Sequence, residues 1–335
     1  MSDKVVMSVD WWDSVPNEGA ATVKRLEAEG YVVEVVPTPS FFDEEEISRI
    51  LPGVSGIISG QHKYTAKSLE AADRLKVISR HGSGYETIDL AECTRRGIVV
   101  TNGSEGVAPA VAEFTIAQMF NASRKLRTTE ARFRDGEWSF RKAVGGRSIL
   151  GRTLGLIGLG QIGSRVARFA MALGMKCIYH DIYRREDLEA EGLEFRTLDE
   201  LLTESDFVSL HVGLNDVTHH MIGGRELRLM KASAYIINTS RGGVIDEAAL
   251  VEALEDQRIG GAILDVFEIE PLPDDSPLRR IEADLLITPH MAGLSDDAKK
   301  DMLALATQNM LDVLQGRRPR LVTNPEVYER HPDLV

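Results

Sequence analysis

The sequence predicts an α/β protein of two doubly wound parallel-sheet domains, one inserted in the other. Three observations carry that expectation. Short apolar runs alternate with amphipathic segments along nearly all of the 335 residues, a length that fits two domains better than one small core. A glycine-rich turn, Gly158-Leu159-Gly160-Gln161-Ile162-Gly163, stands well inside the chain, between one such run and one such segment. The last long amphipathic segment, Ser295 to Gln315, has no strand of its own and is expected to return to the first domain.

Taken in order, the first elements are a strand from Lys4 to Val9 and a loop holding Trp11, Trp12 and Pro16. A helix from about Ala20 to Glu29 is stopped by Gly30. Then come strand Tyr31 to Val36, acidic helix Asp43 to Leu51, strand Gly56 to Ser59, helix Ala66 to Ala72, strand Leu75 to Arg80 and a short strand, Ile98 to Thr101. Such alternation implies a parallel sheet with helices on both faces. The amphipathic segment Val107 to Leu126 is expected to cross to the second domain, whose strands are Thr153 to Ile157, Lys176 to His180, Phe207 to His211, Tyr235 to Asn238, Ala262 to Asp265 and Leu285 to Thr288. The expected division is 1–102 with 291–335 for one domain and 103–290 for the inserted one.

The glycine turn gives the inserted domain a Rossmann-like character. Gly158 permits the tight turn out of its strand, Gly160 lets a pyrophosphate approach the backbone, and Gly163 lets the following helix pack closely on the sheet. That helix repeats Val166, Phe169, Ala170 and Leu173 at helical spacing and closes at Gly174. Its N-terminus offers N–H groups and a partial positive charge to phosphates. Asp181, ending the next strand, stands where a carboxylate would accept the ribose hydroxyls, which favours NAD over NADP. Arg184 and Arg185 follow and leave room for a 2′-phosphate, so the sequence prefers NAD without excluding NADP.

Composition narrows the partners. Hydrophobic residues at 43% and charged residues at 27% describe an ordinary soluble chain, and a formal net charge of −13 argues against nucleic acid or an anionic membrane. No run approaches a membrane span, and Met1 to Asp10 lacks the apolar core of a secretory signal. The two cysteines, Cys93 and Cys177, show neither disulfide nor metal-ligand spacing, so a reducing cytoplasm is expected, with no metal.

Three further motifs follow strands of the second sheet: Asn238-Thr239-Ser240-Arg241-Gly242-Gly243, Asp265-Val266-Phe267-Glu268-Ile269-Glu270-Pro271 and Thr288-Pro289-His290-Met291-Ala292-Gly293. Ligands of open α/β sheets bind at that edge. An arginine, a glutamate and a histidine beside a nicotinamide suggest hydride transfer at a carbon bearing oxygen. The planar guanidinium grips a carboxylate, the histidine exchanges the proton, and the glutamate orients the imidazole.

With these motifs, with Ile78-Ser79-Arg80-His81-Gly82-Ser83-Gly84 and with the tail Val322-Thr323-Asn324-Pro325, the chain resembles the D-isomer-specific 2-hydroxyacid dehydrogenases, among them 3-phosphoglycerate dehydrogenases and glyoxylate or hydroxypyruvate reductases. The resemblance covers nearly the whole chain. It implies that Arg241, Glu270 and His290 are catalytic, Glu270 rather than Glu268 because the family's glutamate stands immediately before the proline. It further implies that Ser83 and Gly84, with Arg241, bind the substrate carboxylate, that Thr239 and Asp265 lie on the nicotinamide side of NAD, and that Val212 lies on its adenine side, with Gly158, Gly160, Gln161, Ile162, Gly163 and Asp181 completing the cofactor site. Two domains are expected to close over a small 2-hydroxy or 2-keto acid, and a homodimer to form through Val107 to Trp138, Trp138 matching a position that can reach the neighbouring subunit's pocket.

The same fold also serves phosphite-type dehydrogenases and an NAD-sensing corepressor. Ending at Val335, the chain is expected to lack the regulatory domain that many phosphoglycerate dehydrogenases carry. Lys63, Arg80 and His81 are candidates to hold a second anionic group. His211 is expected to be structural or to line the cofactor, while His219 and His220 are expected to be solvated. Trp11 and Trp12 are expected to anchor their loop.

Overall fold

A computed structural model describes residues 3–8, 15–36, 44–60, 62–143 and 145–334; Trp11 and Trp12 lie outside them. The chain divides into two compact units, Met1–Val107 with Leu294–Val335, and Ala108–Gly293.

The first unit holds β1 (Lys4–Ser8), β2 (Val32–Val35), β3 (Val54–Ser59), β4 (Val77–Arg80) and β5 (Val99–Thr101), all parallel in the order β2-β1-β3-β4-β5. Strand residues alternate between two cores, as the period of a strand requires. Val5, Met7, Ile58, Val77 and Val99 face one cluster, and Val6, Ile57, Ile78 and Val100 the other. Each face is therefore covered, which is why these strands read as continuous apolar runs. The first cluster includes Leu303, Ala306 and Met310 of the helix Asp296–Leu314, capped by the Ser295 hydroxyl on Ala298 N–H. Gly56 makes the close packing of that helix possible, since a Cβ there would come within 3.0 Å of Met310 Cγ.

The second unit holds β6 (Thr153–Ile157), β7 (Lys176–His180), β8 (Glu194–Phe195), β9 (Phe207–Leu210), β10 (Tyr235–Asn238), β11 (Gly261–Leu264) and β12 (Leu285–Ile287). The order β12-β11-β10-β9-β6-β7-β8 is again wholly parallel. From β6 the chain winds outward to β8, then returns to the other side of β6 at β9. The switch point of the winding thus lies between β6 and β9, the place where such sheets bind ligands. The fold class expected from the sequence is the one observed.

Several local expectations need correction. The helix expected at Ala66 to Ala72 is one 3₁₀ turn, Ser68–Ala71, and the amphipathic segment begins earlier, as the helix Ser104–Arg124. A helix at Leu90–Arg96 was not anticipated, although Asp89 caps it by accepting Glu92 N–H and Gly97 ends it in a left-handed conformation at φ 75°. The helix Leu126–Arg134, not anticipated as a separate element, buries none of its residues. Among the described residues no helix is long and apolar enough to cross a membrane.

Two histidines in the first unit are interior and neutral. His62 lies 3.1 Å from Ser8 Oγ and 3.0 Å from Ser59 Oγ, and burial pushes its pKa down to about 4, with Arg80 adding to the effect. His81, whose Nε2 lies 3.3 Å from the Lys299 carbonyl, is pushed down to about 3 by burial. Both titrate near 6.5 when unfolded, so acid favours the unfolded chain. Their contribution is intact above pH 6.5 and is lost as pH falls toward 4, each adding a slope of up to about 1.4 kcal/mol per pH unit. Denaturant unfolding at pH 7.5 and pH 5 is expected to show the loss, and His62→Gln to flatten it. Equal stability at the two pH values would contradict the neutral, buried state.

Candidate active site

The glycine turn expected to hold the cofactor lies at the switch point. Gly158 leaves β6 at φ +91°, a conformation that side chains avoid, and a Cβ there would lie 2.7 Å from the His211 carbonyl oxygen and 2.9 Å from Val212 Cγ1. Gly163 permits an equally close approach, because its Cβ would overlap the Gly158 carbonyl. Gly160 faces open space, with nothing within 4 Å of its Cβ position. The helix Gly163–Ala172 that follows has no side-chain cap at Ile162, and its Ser164 and Arg165 N–H groups bond back to the Gly160 and Ile162 carbonyls at 3.2 and 2.9 Å. A backbone cradle that Cβ atoms would obstruct, at an uncapped helix N-terminus, fits a dinucleotide pyrophosphate. Gln161 is exposed on the rim of the turn, where its amide oxygen accepts from Arg165 at 3.0 Å.

Asp181 ties the end of β7 to this turn by accepting Leu159 N–H at 2.7 Å. The two arginines that follow are held by acids of their own segment. Arg184 pairs two-pronged with Glu189 at 2.9 and 2.6 Å and lies over the Phe195 ring. Arg185 pairs with Asp187 at 3.0 and 2.9 Å and donates to the Leu159 carbonyl.

On the other side of the switch point, β10, β11 and β12 end side by side and bring the three motifs to one edge. His290 Nδ1 and Glu270 Oε2 stand 2.6 Å apart. The other Glu270 oxygen accepts Phe267 N–H at 3.0 Å. Burial alone would push the Glu270 carboxyl up. The bond from His290, its charge, the Phe267 N–H and Arg241 outweigh that, and the net shift is downward. Glu270 is therefore ionised at neutral pH and can only accept, so Nδ1 carries the proton and Nε2 is the nitrogen left for other chemistry. His290 itself sits at φ +50°, unusual for a side chain with a Cβ.

That backbone is held by Asp265, which ends up buried. Its carboxylate accepts Thr288 Oγ1 at 2.6 Å, Met291 N–H at 3.0 Å and Ala292 N–H at 2.8 Å, while its carbonyl accepts His290 N–H at 2.8 Å. The carboxylate so shapes the His290 loop, a task the sequence did not disclose. Asn238 does the same for the arginine loop: its amide donates to the Arg241 carbonyl at 2.9 Å and its oxygen accepts Ser240 N–H at 3.0 Å. Its signal was present, since an asparagine at a strand end commonly folds the turn after it. The Arg241 guanidinium donates to the Ser240 carbonyl at 2.6 Å. Thr239 is buried, its hydroxyl 3.2 Å from Thr115 Oγ1.

The remaining histidines sort by environment. His211 has Nε2 at 2.9 Å from Ser209 Oγ, and burial pushes its pKa down to about 3, which suits a structural role and not proton exchange. His220 is not simply solvated as expected; its Nε2 lies 2.8 Å from Glu268 Oε1. In the first unit Ser83 and Gly84 form a loop held by Arg80, whose Nε donates to the Gly84 carbonyl at 2.7 Å. Among the described residues neither loop N–H meets an internal acceptor. The expectation that Arg80, His81 and Lys63 supply charge to a second anion needs correction. His81 is neutral, Arg80 is buried and also donates to the Ser59 carbonyl at 3.1 Å, and Lys63 alone is exposed.

Comparison with known proteins agrees with this geometry. The family model described as D-isomer specific 2-hydroxyacid dehydrogenase, NAD binding domain, matches residues 116–292. A glyoxylate reductase of Korarchaeum cryptofilum is 41% identical over 271 residues, 80% of this chain and 81% of that protein. A D-3-phosphoglycerate dehydrogenase of Methanocaldococcus jannaschii is 38% identical over 304 residues, 90% of this chain but 57% of that protein. The solved D-lactate dehydrogenase of Aquifex aeolicus, complexed with NAD and lactic acid, superposes with a TM-score of 0.81 at 31% identity, covering 97% of this chain and 98% of that one. The chain belongs to the D-isomer specific 2-hydroxyacid dehydrogenase family and is an NAD-dependent oxidoreductase of 2-hydroxy and 2-keto acids.

Proposed function

We propose that the protein reduces a small, unphosphorylated 2-keto acid of the glyoxylate or hydroxypyruvate class to the D-2-hydroxy acid. The observation that carries this reading is the 2.6 Å pairing of His290 Nδ1 with an ionised Glu270, on the sheet edge that also carries Arg241. Bound NADH supplies the hydride. The Arg241 fork grips the substrate carboxylate and polarises the carbonyl oxygen. His290 delivers the proton from Nε2, and Glu270 stabilises the imidazolium until it does so. Ser83 and Gly84 offer N–H groups to the carboxylate, while Thr239, Asp265 and Val212 complete the cofactor site. A neutral His81 and a committed Arg80 favour an uncharged far end on the substrate over a phosphate.

The quaternary state belongs to the same reading. The segment 126–142 leaves Phe133 59% and Trp138 63% exposed, their rings 5.8 Å apart. Aromatic surface of that kind supports a homodimer formed through this arm. The buried thiols of Cys93 and Cys177 support a cytoplasmic setting.

Absorbance of the reduced cofactor, followed with a panel of 2-keto acids, tests the substrate and the cofactor together. Glyoxylate and hydroxypyruvate are expected to outrun phosphohydroxypyruvate. NADH is expected to outrun NADPH, because Arg184 and Arg185 are engaged by Glu189 and Asp187. Asp181→Ser is expected to narrow the NADH preference by about tenfold, the equivalent of one charge-assisted hydrogen bond. A parent enzyme that prefers NADPH would overturn the assignment of Asp181.

A further inference from the structure

Glu268 stands two residues before Glu270 and touches a different set of groups. Its Oε1 accepts both His220 Nε2, at 2.8 Å, and Glu247 N–H, at 3.0 Å. In return the Glu268 N–H donates to the Glu247 carboxylate. The backbone of His220 is fixed as well: its N–H donates to the Gly243 carbonyl at 2.8 Å, and the next residues continue the ladder, Ile222 N–H to Val244 and Asp246 N–H to Ile222. Gly242 completes the contact, because a Cβ there would overlap the Phe267–Glu268 peptide. Three segments far apart in sequence, 220–222, 241–247 and 267–270, therefore meet at one carboxylate oxygen. Two of them carry Arg241 and Glu270.

We infer that Glu268, held by His220 and the Glu247 N–H, is a positioning residue that keeps the Arg241 and Glu270 loops in register for turnover without touching cofactor or substrate. The inference rests on the catalytic reading of Arg241, Glu270 and His290 given above. His220 adopts φ +50°, a left-handed backbone unfavourable for a residue with a Cβ, and in that conformation its ring reaches Glu268. The side chains of His220 and Glu268 are 37% and 33% exposed. A pair so open to water contributes little to overall stability. Its effect on rate is not limited in that way, since a displacement of about 1 Å among reacting groups costs roughly 10²-fold. A residue of this kind changes kcat and leaves cofactor binding and the melting temperature nearly alone.

The test measures kcat, KM for NADH and thermal unfolding for Glu268→Ala, His220→Leu and His220→Gln, using the most active 2-keto acid of the panel. Glu268→Ala and His220→Leu are expected to lower kcat about tenfold or more, with KM for NADH within about twofold of the parent. His220→Gln retains an amide donor near the Nε2 position and is expected to recover most of the rate. Parental kcat in Glu268→Ala would overturn the inference. So would a fall in kcat matched by loss of NADH affinity and of melting temperature, which marks a merely structural contact. Glu270→Gln and His290→Gln serve as the reference pair. If they keep parental kcat, the catalytic reading itself fails; if they lose it while the Glu268 and His220 variants do not, only this inference fails.

Discussion

His290→Gln is expected to lower kcat by about 10²- to 10⁴-fold, the range contributed by a positioned acid–base group, while the dissociation constant for NADH stays within about twofold. Glutamine preserves bulk and an amide that can still bond Glu270, but it has no proton to deliver. The separation of rate from binding follows from placement. The glycine turn of Gly158, Gly160 and Gly163, proposed to cradle the pyrophosphate, lies on one side of the switch point, and His290 follows β12, the outermost strand on the other. Because His290 sits at φ +50°, His290→Asn is the natural companion variant, asparagine tolerating that backbone best among residues with a side chain. Steady-state rates and fluorescence titration of NADH check both. An unchanged kcat in either variant would remove His290 from the chemistry.

Arg241→Lys carries the second large effect. The guanidinium is one of the few groups at this edge able to give a carboxylate two parallel hydrogen bonds, and an ammonium offers one at a time. Loss of one charge-assisted bond and of the enforced orientation, about 2–3 kcal/mol together, corresponds to a fall of roughly 10²-fold in kcat/KM for the keto acid. The loop itself is expected to persist, since Asn238 holds it through the Arg241 carbonyl and not through the side chain. The check is therefore specific: kcat/KM for the keto acid falls while KM for NADH does not rise in parallel. A variant with parental kcat/KM would show that another group binds the carboxylate.

How far the chain could be read from its letters depended on whether burial leaves a pattern. Thr153–Ile157 and Lys176–His180 were read with their observed ends, because strands covered on both faces are unbroken apolar runs bounded by glycine and charge. The long helix Asp296–Leu314 was read nearly to its ends, as the amphipathic segment Ser295 to Gln315. Glu194–Phe195 was not, since two residues at a sheet edge have no period. Leu126–Arg134 was missed for a different reason: a helix that buries none of its residues answers to no core.

The site divides similarly. Residue types at strand ends named Arg241 and His290, and the resemblance selected Glu270 over Glu268. Nothing in the letters joins His220 to Glu268, 48 positions apart. Nor could they show that His81 is neutral, because charge state follows burial, and burial is set by the helix whose Lys299 carbonyl covers the ring.

On the reading proposed above, hydride reaches one face of a 2-keto acid while His290 supplies the proton. The most direct measurement is chiral analysis of the glycerate formed from hydroxypyruvate and NADH by the parent enzyme and by His290→Gln. D-glycerate is expected from the parent, in step with NADH consumed, and about 10²-fold less or lower still from the variant. L-glycerate, or no product from any keto acid despite tight NADH binding, would contradict it; the second outcome is what a cofactor-sensing protein of this fold would give.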